Sequence, residues 1–434
     1  MEKTISGYDY KNQKIRITIR NDKIANIEYL DKKDYVDDFL IIPGFIDIHT
    51  YGGYGFDWLS GKKEYAIKYL KDVALHEGVT SVVGTLPTID VKSLRDSLEN
   101  ISDLMRENVN GANFLGWHIE GPFISEEKPG SFFDRLSVRK LTFYNLDKYF
   151  NNYLHTIKIM TLDPKDVDQE VLDILNTNKI KIFAGHTKAE KKDIMGKSIN
   201  GITHFNHAMI KLGEKNDSLA KYGLKNKKIY IEFINDGIHN SFRETKKIYK
   251  KKDKKHLILI TDSLHVKGLE DGEYVIFNRY FEKKDDAVYN NHGQIVGSVH
   301  TMLNAFKYWR LLGASLEKCI YATSTNAAEL LNLNKGKIKK GYDADILILN
   351  RKDFAIKNVY VGGKELETKK EKIKREAKEE EIEKQHKEEK DVESIPIKKL
   401  LREYSKEEKK LTDRIEKEKK GENIKKDQKD ENNS

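Results

Sequence analysis

Eight short apolar segments recur at regular intervals through the middle of this chain, and their regularity limits the fold more than any other feature. They cover residues 40–45, 80–83, 114–119, 157–162, 180–184, 201–203, 229–234 and 257–260. The stretches between them, for example 64–78, 91–107 and 165–177, mostly read as helices. Eight strands joined by helical crossovers predict a (β/α)8 barrel of about 250 residues. A doubly wound parallel sheet is the alternative.

Residues that can bind a metal follow most of these segments. They are Asp47 and His49 after the first, His118 and Glu120 at the third, His186 after the fifth, His204 after the sixth, Asp236 and His239 after the seventh, and Asp262 after the eighth. The carboxyl ends of parallel strands meet at one end of a barrel, so we expect these side chains to converge there. Neutral imidazole is the commonest metal ligand in proteins, which makes a metal site the leading interpretation.

Three of these residues form the predicted ligand set. Glu120, His186 and His204 would supply one carboxylate and two imidazoles and leave a position for water, as in catalytic rather than structural zinc sites. A carboxylate must then move a proton between that water and a leaving group, and Asp262 is placed to do so. The pattern predicts metal-assisted hydrolysis of an amide or ester. The alternative for Asp262 is a helix N-cap, because Ser263 and a loop follow it.

Strand-like patterns also flank the barrel segments. Isoleucines alternate with polar residues at Ile15, Ile17 and Ile19, a turn follows at Asn21, and a similar pattern returns at 336–364. We therefore expect a small β domain from residues 1–40 and 336–366, the barrel from 41–335, and a charged tail from 367–434. Of residues 368–434, 42 of 67 are charged, which cannot form a core. A disordered or single-helix tail is favoured over one that binds a partner.

Composition indicates which partners and which cellular location to expect. The net charge of +9 is spread along the chain without a compact basic block interleaved with aromatic residues, so nucleic acid is not the expected partner. No apolar run is long enough to predict a membrane span. The single cysteine, Cys319, lies in an apolar helical context and is expected to be buried. The absence of cysteine pairs is typical of a reducing compartment, so a cytoplasmic location is expected.

Motifs in a fixed order resemble those of the N-acetylglucosamine-6-phosphate deacetylases of the amidohydrolase superfamily. They are PGFIDIHTYGGYGFD (43–57), GWHIEGPFIS (116–125), GHT (185–187), THFNHAM (203–209), NDGIH (235–239), TDS (261–263), GSVHTM (297–302) and ATSTNAAELLNLNKGKIKKGYDADILIL (322–349). The resemblance implies an α/β fold, a (β/α)8 TIM-like barrel with a small β-sandwich. It also implies removal of acetate from an amino-sugar phosphate, one divalent metal ion (Zn or Fe(II)) and a homodimer.

The resemblance also implies roles for individual residues. Glu120, His186 and His204 match the metal ligands, Asp262 the acid/base, and His239 a residue that contacts the substrate carbonyl. The implied substrate-binding residues are Ser131, Phe132, His207, Ala208, Lys215, Val296 and Gly297.

Four positions depart from the family pattern. Tyr51 replaces the second His of His-x-His, which leaves His49 as the remnant of a second metal site and favours a single metal. Phe132 and His207 stand where the family usually has His and Asn, and residues 210–224 hold no Arg. Lys211 or Lys215 would then contact the phosphate, as a point charge rather than a two-donor fork. Two alternatives stay open: an amidohydrolase for another N-acyl compound, and a non-catalytic barrel with an interaction tail.

Overall fold

The computed structural model describes residues 2–87, 91–130, 139–276 and 279–367. Apart from its first residue, Glu367, the predicted tail lies outside these residues, as do Ser131 and Phe132. None of the described helices combines the length and the apolar composition needed to cross a membrane.

The described strands form four sheets. In chain order they are β1 (Glu2–Tyr8), β2 (Lys14–Arg20), β3 (Lys23–Tyr29), β4 (Phe39–Pro43), β5 (Phe45–Thr50), β6 (Gly52–Gly53), β7 (Phe56–Asp57), β8 (Val79–Pro87), β9 (Asn113–Glu120), β10 (Ile157–Leu162), β11 (Lys181–Ala184), β12 (Gly201–Ile202), β13 (Tyr230–Ile234), β14 (Leu257–Ile260), β15 (Gly272–Ile276), β16 (Arg279–Lys284), β17 (Ala287–Tyr289), β18 (Ile295–Ser298), β19 (Ile346–Asn350), β20 (Ile356–Val361) and β21 (Lys364–Glu365). The α-helices are α1 (Lys63–Glu77), α2 (Val91–Ile101), α3 (Phe143–Phe150), α4 (Gln169–Thr177), α5 (Lys191–Ile194), α6 (Leu219–Lys225), α7 (Phe242–Lys251), α8 (Met302–Leu311), α9 (Leu316–Ile320) and α10 (Asn326–Leu330).

Eight parallel strands form the barrel, in the order β14-β13-β12-β11-β10-β9-β8-β5. The predicted fold class is confirmed, and two predicted strands, 157–162 and 257–260, have the observed bounds. Alternate side chains of the barrel strands belong to two different hydrophobic cores. Ile258 and Ile260 of β14 belong to the cluster inside the barrel, whereas Leu257 and Leu259 pack in the larger cluster that includes the helices.

The first and last barrel strands join at their carboxyl ends. The backbone N–H of Asp262 donates to the carbonyl of His49 (2.9 Å), and that of Tyr51 donates to the carbonyl of Ser263 (2.9 Å). This junction closes the barrel at the end where the predicted site residues lie. It also brings His49 and Asp262 together although more than 200 residues separate them in the sequence.

The small sheet has seven strands, in the order β21-β20-β19-β4-β1-β2-β3, and combines both ends of the described chain. It encloses a core rich in isoleucine, including Ile17 and Ile346. One strand prediction was wrong: residues 40–45 do not form a single barrel strand. The chain leaves the small sheet at the end of β4 and enters the barrel with β5, and Gly44 lies between them. A Cβ on Gly44 would lie 2.1 Å from Thr80 Oγ1, so the crossing requires glycine.

Two further regions differ from expectation. The segment between His186 and His204 was predicted to hold a full crossover helix, but it contains only the four residues of α5. Gly196 (φ 80°) follows in the left-handed region, which a helix does not accommodate. A four-stranded antiparallel sheet, β15-β16-β17-β18, follows β14 and was not predicted.

Candidate metal centre

Glu120, His186 and His204 come together at the carboxyl end of the barrel. Glu120 is the last residue of β9, and the two histidines follow β11 and β12 by two residues each. Glu120 Oε1 lies 3.2 Å from His186 Nε2 and 3.0 Å from His204 Nε2, and the two nitrogens are 3.0 Å apart. All three side chains are buried. Bonds of about 2.1 Å to one divalent ion produce ligand separations of about 3 Å, so the triangle fits a metal.

The protonation of His186 supports this fit. Its Nδ1 lies 2.9 Å from the backbone carbonyl oxygen of Lys128, so Nδ1 carries the proton and donates it. In the neutral ring, which metal binding requires, Nε2 then presents a lone pair toward Glu120 and His204. Metal-binding histidines are commonly oriented in this way by a hydrogen bond from the other ring nitrogen.

The backbone holds three of the site residues in an unfavourable conformation. His186 (φ 48°), His204 (φ 26°) and Asp262 (φ 50°) all lie in the left-handed region, each just after a barrel strand. Such conformations cost about 1–3 kcal/mol each in residues other than glycine, and they cluster at functional sites. In each case the turn directs a polar side chain to the strand end.

Burial and mutual charge control ionisation at the site. Burial of Glu120 opposes its charge, but the imidazoles of His186 and His204 lower the pKa of this carboxyl well below its usual value. The pKa of Asp262 is shifted in the opposite direction to that of Glu120. Burial, together with the carboxylates of Glu120 and Glu232, raises the pKa of Asp262 well above its usual value. In the absence of a cation, the two carboxyls therefore differ in affinity for a proton.

A second buried group lies beside the first and includes a residue that sequence reasoning missed. His49 Nδ1 lies 3.0 Å from Glu232 Oε2, and His118 Nδ1 lies 3.8 Å from Glu232 Oε1. Glu232 is inside β13, and burial raises the pKa of its carboxyl to about 7. Burial also lowers the pKa of His49 to about 4 and that of His118 to about 3, so both imidazoles are neutral. The signal that could have identified Glu232 is a lone carboxylate within an apolar strand.

His118 has its own hydrogen bonds within this group. It donates from Nδ1 to the carbonyl of Ile48 (3.0 Å), and its Nε2 contacts Thr161 Oγ1 (2.7 Å). Both ring nitrogens therefore have partners in the barrel wall.

His239 and His207 form a pair close to the strand ends. Asp236 Oδ2 is 2.6 Å from His239 Nδ1, which fixes the ring and leaves Nε2 for other contacts. The His207 and His239 rings are 5.2 Å apart and nearly perpendicular. Asn240 Nδ2 lies 3.1 Å from His207 Nε2, and burial lowers the pKa of His207 to about 3. His207 is therefore neutral and accepts a hydrogen bond from Asn240.

The remaining predicted substrate residues have different locations. The carbonyl of Ala208 accepts from Thr187, and Ala208 itself is half-buried. Val296 and Gly297 belong to β18, next to the strand end at Asp262, because Ser298 N donates to the Asp262 carbonyl.

Lys215 lies at the surface, and its exposed ammonium forms an ion pair with Glu190. That Lys211 or Lys215 contacts a phosphate stays a prediction.

The model of the amidohydrolase family matches residues 40–366, three quarters of the chain. This chain belongs to the amidohydrolase family. The matched region of this amidohydrolase contains all eight barrel strands and each of the ligand candidates.

Individual amidohydrolases give a consistent comparison. The chain is 29% identical over 324 residues to an N-acetylglucosamine-6-phosphate deacetylase of Bacillus subtilis, covering 72% of this chain and 81% of the relative. It is 25% identical over 321 residues to an N-acetylgalactosamine-6-phosphate deacetylase of Escherichia coli O157:H7, covering 72% and 84%. A crystal structure of an N-acetylglucosamine-6-phosphate deacetylase from Thermotoga maritima superposes with a TM-score of 0.76 at 25% identity, over 85% of this chain and 99% of that one.

Proposed function

We propose that this amidohydrolase hydrolyses the N-acetyl amide of N-acetylglucosamine 6-phosphate to glucosamine 6-phosphate and acetate. The observation that carries the proposal is the buried triangle of Glu120, His186 and His204 beside Asp262. The named activities of the relatives from Bacillus subtilis and Thermotoga maritima support the substrate class. We further propose that the triangle holds one divalent ion, Zn²⁺ or Fe²⁺, because both accept imidazole and carboxylate ligands.

The chain's own residues divide the reaction between them. A bound divalent ion would polarise the amide carbonyl and make water more acidic. Asp262 takes the proton as water adds to the carbonyl carbon, and it delivers that proton to the nitrogen as the C–N bond breaks. We assign His239, held by Asp236 through Nδ1, to contact with the substrate. The products are the protonated amine and acetate, which together contain the oxygen and both protons of the water consumed.

A second candidate is hydrolysis of a different N-acyl substrate, and the absence of arginine from residues 210–224 favours it. Lys215, which pairs with Glu190 at the surface, offers a point charge rather than the two-donor fork of arginine. The N-acetylgalactosamine-6-phosphate deacetylase among the relatives shows that a related chain acts on another sugar phosphate.

An acetate-release assay tests both candidates. The full-length protein, loaded with Zn²⁺ or Fe²⁺, would be given N-acetylglucosamine 6-phosphate, its unphosphorylated form and N-acetylgalactosamine 6-phosphate. We expect the first to have the highest kcat/KM. Faster turnover of an unphosphorylated substrate would favour the second candidate, and no turnover of any N-acyl compound would favour a non-catalytic barrel.

Variants test the assigned roles. Asp262→Asn should lower kcat by about 10²- to 10⁴-fold, since that is the usual contribution of general acid–base catalysis. Glu120→Gln should lower both metal content and activity. Glu99→Gln, on the exposed face of α2, is the matched control and should behave as wild type. Full activity in Asp262→Asn would refute the mechanism.

A further inference from the structure

His207 is held in a strained turn at the carboxyl end of the barrel. The residues on either side of it, Asn206 (φ 75°) and Ala208 (φ 46°), both lie in the left-handed region. Conformations of this kind are costly for residues other than glycine, and they cluster at binding and catalytic sites. The His207 ring is half-buried and packs nearly perpendicular to the ring of His239, 5.2 Å away. The turn therefore presents His207 beside a residue that we assign to the substrate.

The orientation of the buried Asn240 amide is determined by its neighbours. The backbone N–H of Leu212 donates to Asn206 Oδ1 (2.7 Å), so Asn206 presents the donor Nδ2 to Asn240 Oδ1, at 3.5 Å. Asn240 Nδ2 faces the backbone carbonyl of Ile234 at 3.4 Å, and a carbonyl can only accept. Both distances are long for hydrogen bonds. Exchanging the oxygen and nitrogen of Asn240 would nevertheless place nitrogen against nitrogen and oxygen against oxygen, so only one orientation is favourable.

This orientation determines which nitrogen of His207 carries the proton. Asn240 Nδ2 lies 3.1 Å from His207 Nε2, and because an amide nitrogen can only donate, Nε2 accepts. In a neutral imidazole the proton is then on Nδ1. Nδ1 makes no hydrogen bond to any residue that the structure describes. His207 therefore has one N–H donor available for a ligand.

We propose that Asn240 is a positioning residue, which holds His207 as a neutral donor whose Nδ1–H binds an acceptor oxygen of the substrate. The inference rests on the proposed function for the identity of that substrate. It adds the residue that sets the direction of the hydrogen bond. With the proton on Nε2, Nδ1 would present a lone pair to the substrate oxygen and repel it.

Nitrogen NMR measures the tautomer without any substrate. The full-length, zinc-loaded protein would be isotope-labelled at its histidine nitrogens, and comparison with His207→Gln identifies the signals of His207. The protonated and unprotonated nitrogens of a neutral imidazole differ widely in chemical shift, and their couplings to the ring protons tell Nδ1 from Nε2. We expect the proton on Nδ1, and a proton on Nε2 would overturn the inference. This measurement uses the wild-type chain, so it stays decisive even if a variant of Asn240 does not fold.

Steady-state kinetics tests the contact with the substrate. Asn240→Leu cannot donate to His207, so it should raise KM about 3- to 10-fold, as expected for the loss of one hydrogen bond. Zinc per chain and kcat should be unchanged. Asn226→Leu is the matched control, because Asn226 also donates from Nδ2 to a side chain, the Tyr222 hydroxyl (2.7 Å), but precedes β13 rather than following it. Its KM should equal that of the wild type.

A second substitution separates a positioning role from a purely structural one. The amide of His207→Asn always carries an N–H donor and needs no partner to set a tautomer. Combining His207→Asn with Asn240→Leu should therefore restore most of the affinity that Asn240→Leu loses. If Asn240 only supported the fold, the double variant would keep the high KM.

The outcomes separate the two proposals. An unchanged KM in Asn240→Leu, or no recovery in the double variant, would overturn this inference and leave the deacetylase proposal standing. A zinc-loaded wild type that releases acetate from none of the N-acyl sugars would overturn the proposed function, and with it the assignment of His207 to the substrate.

Discussion

Removing the charge of Glu232 should stabilise the metal-free protein, and more so as the pH rises. Glu232 is fully buried, and burial raises its pKa from 4.5 to about 7. The folded state therefore keeps this proton up to about pH 7, whereas the unfolded chain releases it near pH 4.5. Above pH 7 the ionised carboxylate costs the folded state about 3 kcal/mol, from a shift of about 2.5 units at 1.36 kcal/mol each. Below pH 4.5 this cost disappears.

The amide of Glu232→Gln does not ionise, so the folded variant avoids the cost of a buried charge. Thermal unfolding of chelator-treated wild type and variant at pH 5 and pH 8 measures the effect. We expect the difference in Tm between variant and wild type to grow by about 5 °C from pH 5 to pH 8. Glu282→Gln, on the exposed face of β16, is the control and should show the same difference at both pH values.

This reasoning would be refuted if the difference in Tm between Glu232→Gln and wild type did not change with pH. Glu232 would then be ionised without penalty, which would require compensation by neighbours such as His118.

Two further substitutions test contacts around the centre. Gly130→Ala should weaken Zn²⁺ binding about 10- to 100-fold in a chelator competition, because the new Cβ would lie 2.6 Å from His186 Cε1. Gly196→Ala is its control, because Gly196 has a similar φ and nothing lies within 4 Å of its Cβ position, so its affinity for Zn²⁺ should be unchanged. An equal loss of affinity in both variants would show that the clash with His186 is not the cause. Lys267→Met should destabilise the protein by about 3–5 kcal/mol in denaturant unfolding, because it leaves Glu77 buried without its partner at 2.5 Å. Adding Glu77→Gln should recover part of that loss, and no recovery would show that the ion pair is not the cause.

The barrel strands could be predicted because both of their faces are buried, which produces short continuous apolar runs. Strand ends could also be predicted, and with them the meeting of Glu120, His186 and His204. The division at Gly44 was missed, although Pro43-Gly44 is a turn signal within the predicted strand. An apolar run does not reveal that the chain changes sheets within it.

Side-chain partners were harder to predict than strand positions. The ion pair of Lys215 joins it to Glu190, 25 residues away, and nothing in the sequence indicates this partner. Glu232 was overlooked because only the residues after each strand were considered, whereas its side chain acts from within β13. The sequence predicted that Tyr51 is a poor metal ligand, but it gave no sign of the hydrogen bond from Tyr51 to Glu120.

The junction between β5 and β14 has a consequence for the growing polypeptide. His49 emerges from the ribosome early, but Asp262 is synthesised more than 200 residues later, and only the closed cylinder places them side by side. Nascent or truncated chains that lack the eighth strand therefore cannot hydrolyse anything by this route. Catalysis begins when the ring of strands is complete, so turnover reports on finished folding.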